Sequence, residues 1–269
     1  MKLCQDKELT QIILKDYPFP QSTIITKSES ISSGLTSKTW PLPKMFPLVV
    51  KPADKSHGIG ISIGISSYKD LEQAIAYAFE YSTKVIIQEY ISGNDYRILV
   101  VGDKISAIAM RKPPYIIGDG QHTIHELINQ ENHNPMRGEG HDKPLTKIKI
   151  DTTMISFLEK QGYTISSIPR VNEEVLLRQN ANLSTGGISF DVTDIVHPST
   201  KQMALDITKK LGICIAGIDI ISVDITKPLQ ETNGKIIEVN STPGLRMHHF
   251  PHTGIARNCA KDILQLRFE

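Results

Sequence analysis

The chain has 269 residues, of which 39% are hydrophobic and 22% are charged, with a formal net charge of +1. This composition is typical of a folded globular protein, and the near-neutral charge argues against a dedicated nucleic-acid-binding protein or a polybasic membrane protein. No apolar run approaches the roughly 20 residues of a membrane span, and the first residues lack the apolar segment of a signal peptide. The three cysteines are far apart and form no metal-ligand spacing or disulfide framework, so we expect a cytoplasmic protein.

Helical and strand patterns follow one another along the chain. In chain order, they predict a helix at 6–16, strands at 47–52 and 61–65, a helix at 69–81, a strand at 85–91, a hairpin of strands at 96–102 and 104–110, helices at 120–130, 152–161 and 199–211, and strands at 217–221 and 236–240. Residues 131–147 read as a long polar loop, of a length that is usually functional or disordered. This mixture of elements, in two groups, predicts an α+β protein with two lobes.

Two apolar runs near the C-terminus carry polar residues whose spacing suggests a metal site. Glu238 and Asn240 lie two residues apart in a predicted strand, so they point to the same face. Asp219 is the lone acid of the preceding strand, and two adjacent strands would bring all three residues together. Oxygen donors side by side are what Mg²⁺ needs when it bridges a protein to nucleotide phosphates. For each strand alone, acids held by local hydrogen bonds at a strand end remain an equal alternative.

A phosphate site is suggested by Lys51, at the end of a predicted strand, and by Gly58 and Gly60 just after it. Glycines let backbone N–H groups approach phosphate oxygens, and a strand-end lysine supplies a positive charge. The pattern is neither a Walker A loop nor a dinucleotide-binding fingerprint. A turn between two hairpin strands explains the same residues.

An adenine site is suggested by residues 88–91, where an apolar strand ends in a turn. Such an edge offers backbone N–H and C=O groups to a flat purine, and Asp95 is placed to accept hydrogen bonds from ribose hydroxyls. An ordinary exposed β-turn is the alternative.

Taken in order, these motifs resemble the ATP-grasp superfamily. Beyond the fold, the chain resembles the ATP-grasp module of cyanophycin synthetases, with a second similarity to the glutathione-synthetase module of bifunctional bacterial enzymes. It extends from about Lys7 to Phe268. The residues that carry it are Lys51-Pro52 with His57–Gly60, Glu89–Gly93 with Tyr96-Arg97, Gly118–Gly120 with Thr123-Ile124, Arg137–His141 with Leu145–Ile148, Ala181–Gly187 with Asp191–Asp194, His197-Pro198, Gly217–Asp219, Glu238–Asn240 and Pro243–His248.

The resemblance implies an ATP-grasp fold, in which two lobes hold ATP between two sheets. Residues 1–90 would form an N-terminal part with the small nucleotide-binding lobe, and residues 91–269 the lobe with the metal and substrate sites. It implies an ATP-dependent carboxylate–amine ligase. A substrate carboxylate attacks the γ-phosphate to form an acyl phosphate, an amine then forms the amide, and ADP and phosphate are released. The cofactors implied are ATP and Mg²⁺.

Residue by residue, the resemblance also implies roles. The ATP-binding set is Lys51, His57, Gly58, Gly60, Gln88, Glu89, Tyr90, Ile91 and Asp95. The Mg²⁺ ligands are Asp219, Glu238 and Asn240. The catalytic anion holders are Arg97, Arg178 and Arg246, because guanidinium binds carboxylate or phosphate with two parallel hydrogen bonds. The substrate-binding set is Ser184, Thr185, Gly186, Gly187 and His248.

Some roles stay open at this stage. His141, His248 and His249 are candidate acceptors of the amine proton, although an exposed or structural histidine is the more frequent case. Lys147 is placed either to reach ATP or substrate or simply to face solvent. The sequence leaves undecided which arginine binds which anion.

The chain departs from the family in two ways. Cyanophycin synthetases carry a large domain before this module and a Mur-ligase-like domain after it, so we expect a free-standing module with one ligation activity. Its substrates would be a small molecule or peptide that carries a carboxylate, and an amine. A partner protein would replace the missing domain, or the chain would form a homo-oligomer. No nucleic acid or membrane is expected as a partner. Position 88, commonly acidic in the family, is an amide. The alternatives are a non-catalytic nucleotide-binding subunit and a small-molecule kinase.

Overall fold

The computed structural model describes residues 4, 6–28, 46–55, 59–140 and 142–266. The predicted site residues His57, Gly58 and His141 lie outside these ranges. Two compact units make up the chain, residues 1–105 with 195–243 and residues 106–194 with 244–269. These units are discontinuous in sequence, so they differ from the division into 1–90 and 91–269, which stays a prediction.

The helices and strands are described here in chain order. They are α1 Lys7–Ile13, β1 Ser22–Thr26, β2 Leu48–Pro52, β3 Ser62–Ile65, α2 Tyr68–Phe79, β4 Lys84–Glu89, β5 Asn94–Val101, β6 Lys104–Lys112, β7 Tyr115–Ile117, α3 Ile124–Asn132, β8 Arg137–Gly138, β9 Leu145–Thr146, α4 Thr152–Lys160, β10 Glu174–Leu176, a 3₁₀ turn Leu183–Thr185, β11 Ile188–Asp191, α5 Pro198–Leu211, β12 Ile215–Ser222, β13 Lys235–Asn240, α6 Arg246–His249 and α7 Cys259–Leu266.

The first unit contains an antiparallel sheet in the order β1-β4-β2-β3. Successive side chains of a strand point to opposite faces of the sheet. On one face, Val50 and Ile87 share a buried core with Leu71 and Ile75 of α2. Ser67 caps α2, because its hydroxyl accepts a hydrogen bond from the backbone N–H of Asp70. Helix α2 therefore covers one face of this sheet and leaves the other face for different contacts.

Three long strands complete the first unit. Strand β12 lies between β5 and β13 and is antiparallel to both. The preceding helix α5 ends at Gly212, whose left-handed conformation turns the chain towards β12. Alternate residues of β12, such as Ile218 and Ile220, are fully buried. The remaining positions of the strand are thereby aligned on the opposite face.

The second unit is built from shorter pieces. Strand β11 pairs with β6 and β10 with β7, both antiparallel, while β8 and β9 form a short parallel pair. Helices α3 and α4 pack around a buried cluster that includes Ile128, Met154 and Val175. Thr123 and Glu126 form a reciprocal capping box at the start of α3.

The predicted α+β class is confirmed, and every predicted helix and strand has a counterpart. The predicted loop at 131–147 is wrong in part, because α3 extends to Asn132 and the segment contains β8 and β9. Strands β1, β7, β10 and β11 and helices α6 and α7 carried too weak a periodic signal to be predicted. Within the described ranges, no helix combines the length and apolar character needed to cross a membrane.

Gly93 generates a stability prediction. It adopts a φ of +148°, and a Cβ atom there would lie 2.5 to 2.8 Å from backbone atoms of Ser222 and Val223. Backbone cannot move aside as a flexible side chain can, so Gly93→Ala should lower the free energy of unfolding by about 2 kcal/mol or more. Gly212→Ala is the control, because its φ is +63° but a Cβ there meets nothing within 4 Å. Urea denaturation that finds Gly93→Ala no worse than Gly212→Ala would contradict this packing argument.

Candidate active site

One face of the four-stranded sheet carries polar side chains that are deeply buried. Lys51 lies opposite Ile86, and Val49 lies opposite Gln88, so these four residues share a face. This is the face away from α2, because Val50 and Ile87 point into the helix-covered core. Lys51 is only 4% exposed and Gln88 only 3%. Buried polar groups need hydrogen-bond partners, and a bound ligand is one source of them. This face is therefore the first part of the candidate site.

The lysine on this face has an altered acidity. Burial lowers the pKa of Lys51 to about 8, and the neighbouring Lys7 acts in the same direction, while Glu238 and Asp219 oppose the shift. A buried ammonium close to another cation is stabilised by a bound anion. The environment of Lys51 is thus suited to phosphate oxygens.

At the predicted adenine edge, two backbone N–H groups already donate hydrogen bonds within the protein. The N–H of Glu89 donates to Gln21 O at 2.9 Å, and the N–H of Tyr90 donates to Pro47 O at 3.1 Å. In contrast, Gln88 Oε1 is buried and accepts no hydrogen bond within the described part of the chain. An amino group of a bound base would supply that donor. Ile91, three residues after Gln88, is also buried.

The glycine of the predicted phosphate loop that the structure describes is Gly60. Its φ is +68°, and a Cβ atom would lie 2.8 Å from side-chain atoms of both Pro52 and Tyr81. Glycine is therefore required at this position by the fold itself. Its predicted contact with nucleotide stays a prediction.

A row of three charged residues crosses the long strands. Asp219 of β12 lies directly opposite Arg97 of β5 on one side and Glu238 of β13 on the other. Arg97 Nε and Nη2 both donate to the Asp219 carboxylate, the second over 2.8 Å. Both residues are buried, so each charge depends on the other. Asp95, two residues before Arg97, lies on the same face of β5.

The next row is formed by Asn240, Gly217 and Leu99. Asn240 Nδ2 lies 3.5 Å from Asp219 Oδ2, a long contact at the limit of hydrogen bonding. A Cβ atom on Gly217 would lie 2.9 Å from Arg97 Cδ, so glycine makes room for the arginine. The sequence prediction that Asp219, Glu238 and Asn240 share one face agrees with this register.

A β-bulge follows this row. Asp219 pairs with Glu238, but Ile220 pairs with Ile236, so Ile237 is the extra residue on β13. The bulge lies on the side of Glu238 away from Asn240. Glu238 and Asn240 therefore keep the alternation that puts them on one face.

The donor set fits Mg²⁺ chemically, since two carboxylates and an amide oxygen are hard oxygen ligands. Among the described residues, no group of three or more His, Cys, Asp and Glu side chains is arranged to hold a metal ion. In addition, Arg97 occupies both oxygens of Asp219. Metal binding would require Asp219 to give up at least part of this ion pair, and the ligand assignment stays a prediction.

Lys7 is a site residue that the sequence reasoning missed. Its ammonium lies 3.4 Å from Glu238 Oε1 and donates to Lys55 O. Lys7 is the first residue of α1, after the capping residue Asp6. A cation in the first turn opposes the helix dipole, so its position was a signal of a partner outside the helix.

In the second unit, the predicted substrate turn at 184–187 is closed on itself. The N–H groups of Thr185 and Gly187 donate to Asn182 O, and the N–H of Gly186 donates to Leu183 O. Gly186 has a φ of +102°, with Ile148 Cγ1 only 2.7 Å from an added Cβ. A carboxylate would find these three N–H groups already engaged. The exposed Ser184 is the remaining polar group of the predicted set.

The predicted arginines differ in their contacts. Arg178 Nη2 donates to Asp151 Oδ2 at 2.6 Å, while its Nε is buried and has no acceptor within the described ranges. Arg246 donates to Gly140 O, Lys143 O and Thr146 Oγ1, all of which are neutral oxygens. The anion-holding role of these residues stays a prediction, with Arg246 the one whose contacts leave its charge uncompensated.

The remaining candidates are placed as follows. His248 is buried in α6 and only 2% exposed. His249 Nε2 accepts a hydrogen bond from the backbone N–H of Ala260 at 3.2 Å, which is a structural role at the start of α7. Lys147 is exposed and lies 3.8 Å from Glu139. A cavity of about 400 Å³ in this unit is lined by Glu131 and Arg137, among others.

Two family models match the chain. The model described as the D-Ala–D-Ala ligase C-terminus matches residues 19–119, and the model described as a RimK-like ATP-grasp domain matches residues 159–266. Cyanophycin synthetase of Crocosphaera subtropica is 44% identical over the whole chain. The glutathione biosynthesis bifunctional protein of Clostridium perfringens is 40% identical over 99% of it. The chain spans only 31% and 36% of the lengths of these two relatives.

The chain is also similar in fold to solved structures of ligases. The bifunctional glutathione synthetase of Pasteurella multocida is 34% identical with a TM-score of 0.67, over 99% of this chain and 37% of that one. D-alanine–D-alanine ligase from Bacillus anthracis is 17% identical with a TM-score of 0.50, over 90% of this chain and 58% of that one, a likeness of fold alone.

The environment of Lys51 predicts a pH-dependent stability. Its folded-state pKa of about 8 lies below the ordinary value of 10.5, so the unfolded chain binds this proton more tightly. Lys51 therefore destabilises the fold below about pH 8, and this penalty is relieved as pH rises towards 10.5. We expect the unfolding free energy of wild type, relative to Lys51→Met, to increase between about pH 7.5 and pH 9.5 in urea titrations.

The control for this experiment is Lys69→Met, at an exposed position near the start of α2. Its difference from wild type should stay constant over the same pH range. A Lys51→Met difference that is equally flat would show that the Lys51 ammonium is not desolvated.

Proposed function

Because the chain is a member of the ATP-grasp superfamily, we propose that it is an ATP-dependent ligase that joins a carboxylate to an amine. The names of two of its relatives describe the formation of cyanophycin and glutathione. Their shared chemistry favours an amino acid or short peptide as the acid and another as the amine. The cytoplasm, with its ATP supply, is part of this proposal.

The charged row beside Lys51 and Lys7 is the observation that carries the proposal. Three cations, Lys7, Lys51 and Arg97, meet two carboxylates and one amide within the first unit. A cluster of cations and hard oxygen donors suits a polyphosphate together with a divalent cation. A purely structural cluster would have no need for a desolvated lysine.

The residues would divide the work as follows. Lys51 and Lys7 would hold phosphate oxygens and neutralise their charge, which is the main demand of phosphoryl transfer. Asp219, Glu238 and Asn240 would hold Mg²⁺, which supplies charge neutralisation across the phosphates. Gln88 and the edge at 89–91 would receive the adenine, with Asp95 near the ribose.

The reaction would proceed in two steps. A carboxylate oxygen attacks the γ-phosphorus, the bond to the β-phosphate oxygen breaks, and an acyl phosphate and ADP result. The amine nitrogen then attacks the acyl carbon, loses a proton, and expels phosphate as the amide forms. Arg246 would bind the anionic oxygens of the substrate carboxylate or acyl phosphate, because guanidinium pairs with them through parallel hydrogen bonds.

A nucleotide-binding subunit without catalysis is the second candidate. The observation that favours it is the Arg97–Asp219 pair, which takes both oxygens of a predicted metal ligand. Turnover of ATP by the purified chain separates the two functions.

Glu238 provides the test of the metal site. It is half-buried and its partner Lys7 can return to solvent, so Glu238→Gln should fold while losing one charged ligand. We expect ATP turnover to fall by about 100-fold or more, because removing a charge that stabilises the transition state removes several kcal/mol. Asp219→Asn should have at least this effect, but it also leaves Arg97 unpaired and so lowers stability.

The matched control is Asp103→Asn, since this carboxyl is 91% exposed in the turn between β5 and β6. It should retain full turnover. Near-normal rates in Glu238→Gln and Asp219→Asn, with the fold intact by circular dichroism, would refute the metal assignment.

Product analysis tests the reaction itself. Purified protein is incubated with Mg-ATP and a panel of amino acids and dipeptides, and products are identified by phosphate release and mass spectrometry. We expect ADP, phosphate and a new amide, because the carboxylate attacks the γ-phosphate. AMP with pyrophosphate, or a phosphorylated alcohol as the sole product, would overturn the ligase proposal.

A further inference from the structure

Arg246 is held by oxygens that leave its charge unbalanced. Its Nη1 donates to Gly140 O at 3.1 Å and Lys143 O at 3.3 Å, and its Nη2 donates to Thr146 Oγ1 at 3.0 Å. In contrast, Arg137, Arg178 and Arg257 of the second unit each contact a carboxylate, those of Glu131, Asp151 and Asp191 respectively. Burial lowers the pKa of Arg246, as expected for a cation that neutral groups surround.

These contacts also leave donors for a ligand. A guanidinium has five N–H donors. The three bonds to Gly140, Lys143 and Thr146 use both N–H groups of Nη1 and one of Nη2. Among the described residues, Nε–H and the second N–H of Nη2 have no acceptor. Nε and Nη2 form one of the edges through which arginine binds a carboxylate or phosphate with two bonds.

Thr146 is the residue that fixes this orientation. It is only 2% exposed, and its hydroxyl donates to Gly140 O at 3.0 Å. A hydroxyl has a single proton, so the Oγ1 lone pairs are turned towards Arg246 Nη2. The backbone oxygen of Thr146 accepts a further bond from Arg137 Nη1 at 2.7 Å. The Thr146 side chain thus connects Arg246 to the turn at Gly140, and its backbone oxygen adds Arg137 to the network.

Arg137 extends the network to the predicted substrate turn. It is buried, and the nitrogen that bonds Thr146 O also donates to Gly186 O at 3.1 Å. Its Nε donates to Glu131 Oε1 at 3.0 Å, so its own charge is balanced. Arg137 is therefore a structural support, whereas Arg246 keeps a charge and two donors for an anion.

We propose that Thr146 is a positioning residue, which orients the Arg246 guanidinium so that its free edge binds the anionic group of the substrate. This inference rests on the proposed ligase function. It assigns a role to a buried hydroxyl that lies outside the predicted site residues. The pairing of β9 with β8 places Thr146 opposite Gly138, next to Arg137 in sequence.

The test compares Thr146→Val, Thr146→Ser and wild type with the acid and amine that give the fastest wild-type turnover in the panel of amino acids and dipeptides. Valine removes the hydroxyl, whereas serine keeps it. We expect Thr146→Val to raise the KM for the acid, or to lower kcat, by about tenfold, the value of one hydrogen bond to a charged group. Thr146→Ser should restore most of the loss, and the KM for Mg-ATP should stay within about twofold in both variants, because the proposed nucleotide groups belong to the other unit.

Thr153→Val, at an exposed position of α4, is the control for the exchange of threonine for valine. An independent readout is hydrogen exchange of the backbone amides at 142–147, measured by mass spectrometry, because Arg246 holds Lys143 O; the exchange rate should rise in Thr146→Val and Arg246→Gln alike. Unchanged acid kinetics in Thr146→Val, or a KM for Mg-ATP that rises as much as that for the acid, would overturn the positioning role. Absence of any ligation by wild type would instead refute the proposed function, while the hydrogen-exchange comparison would still test the Thr146–Arg246 contact.

Discussion

The buried ion pair between Arg97 and Asp219 is the constraint on which the candidate site depends. Two charges on adjacent strands can remain out of water only if they meet, and removal of one partner typically destabilises a protein by about 3 to 5 kcal/mol. The pair therefore fixes the register of β5 against β12. A slip of one residue would send one charge into the apolar face that Ile218 and Ile220 occupy. With this register set, Glu238 and Asn240 fall beside Asp219 through the pairing of β13.

If Asp219 is a metal ligand as proposed, the site would have two states that differ in which cation Asp219 faces. In the structure the cation is the Arg97 guanidinium, and with a bound metal it would be a divalent ion. A guanidinium displaced from a carboxylate is free to bind phosphate oxygens, for which its planar fork is equally suited. Metal and nucleotide binding would then be coupled through one side chain. Lys7 and Glu238 form a looser, partly exposed version of the same arrangement.

Residues 215–222 and 235–240 were predictable because long apolar runs interrupted by single acids have few alternative structures. The shared face of Glu238 and Asn240 followed from alternation alone. The Arg97–Asp219 pair was not predictable, since it joins residues 122 positions apart and nothing local to either one signals the other. Strands β8 and β9 have two residues each, too few for a period, and their pairing depends on arginine contacts that only the folded chain contains. The engagement of the N–H groups at 185–187 was not predictable either, although their acceptors Asn182 O and Leu183 O are local, because glycines permit a nest without requiring one.

The bulge at Ile237 separates the two halves of β13. Ile236, just before the bulge, lies opposite Ile220, and Glu238, just after it, lies opposite Asp219, so the two halves differ by one residue in their register with β12. Loss of residue 237 would join the halves into one regular ladder and leave both pairings as they are. The number of residues at the bulge therefore does not affect the positions of Glu238 and Asn240 relative to β12. Homologous strands that differ here by a single-residue gap can carry the same acid and amide in the same place, and an alignment that forces them to equal length would misplace the acid by one position.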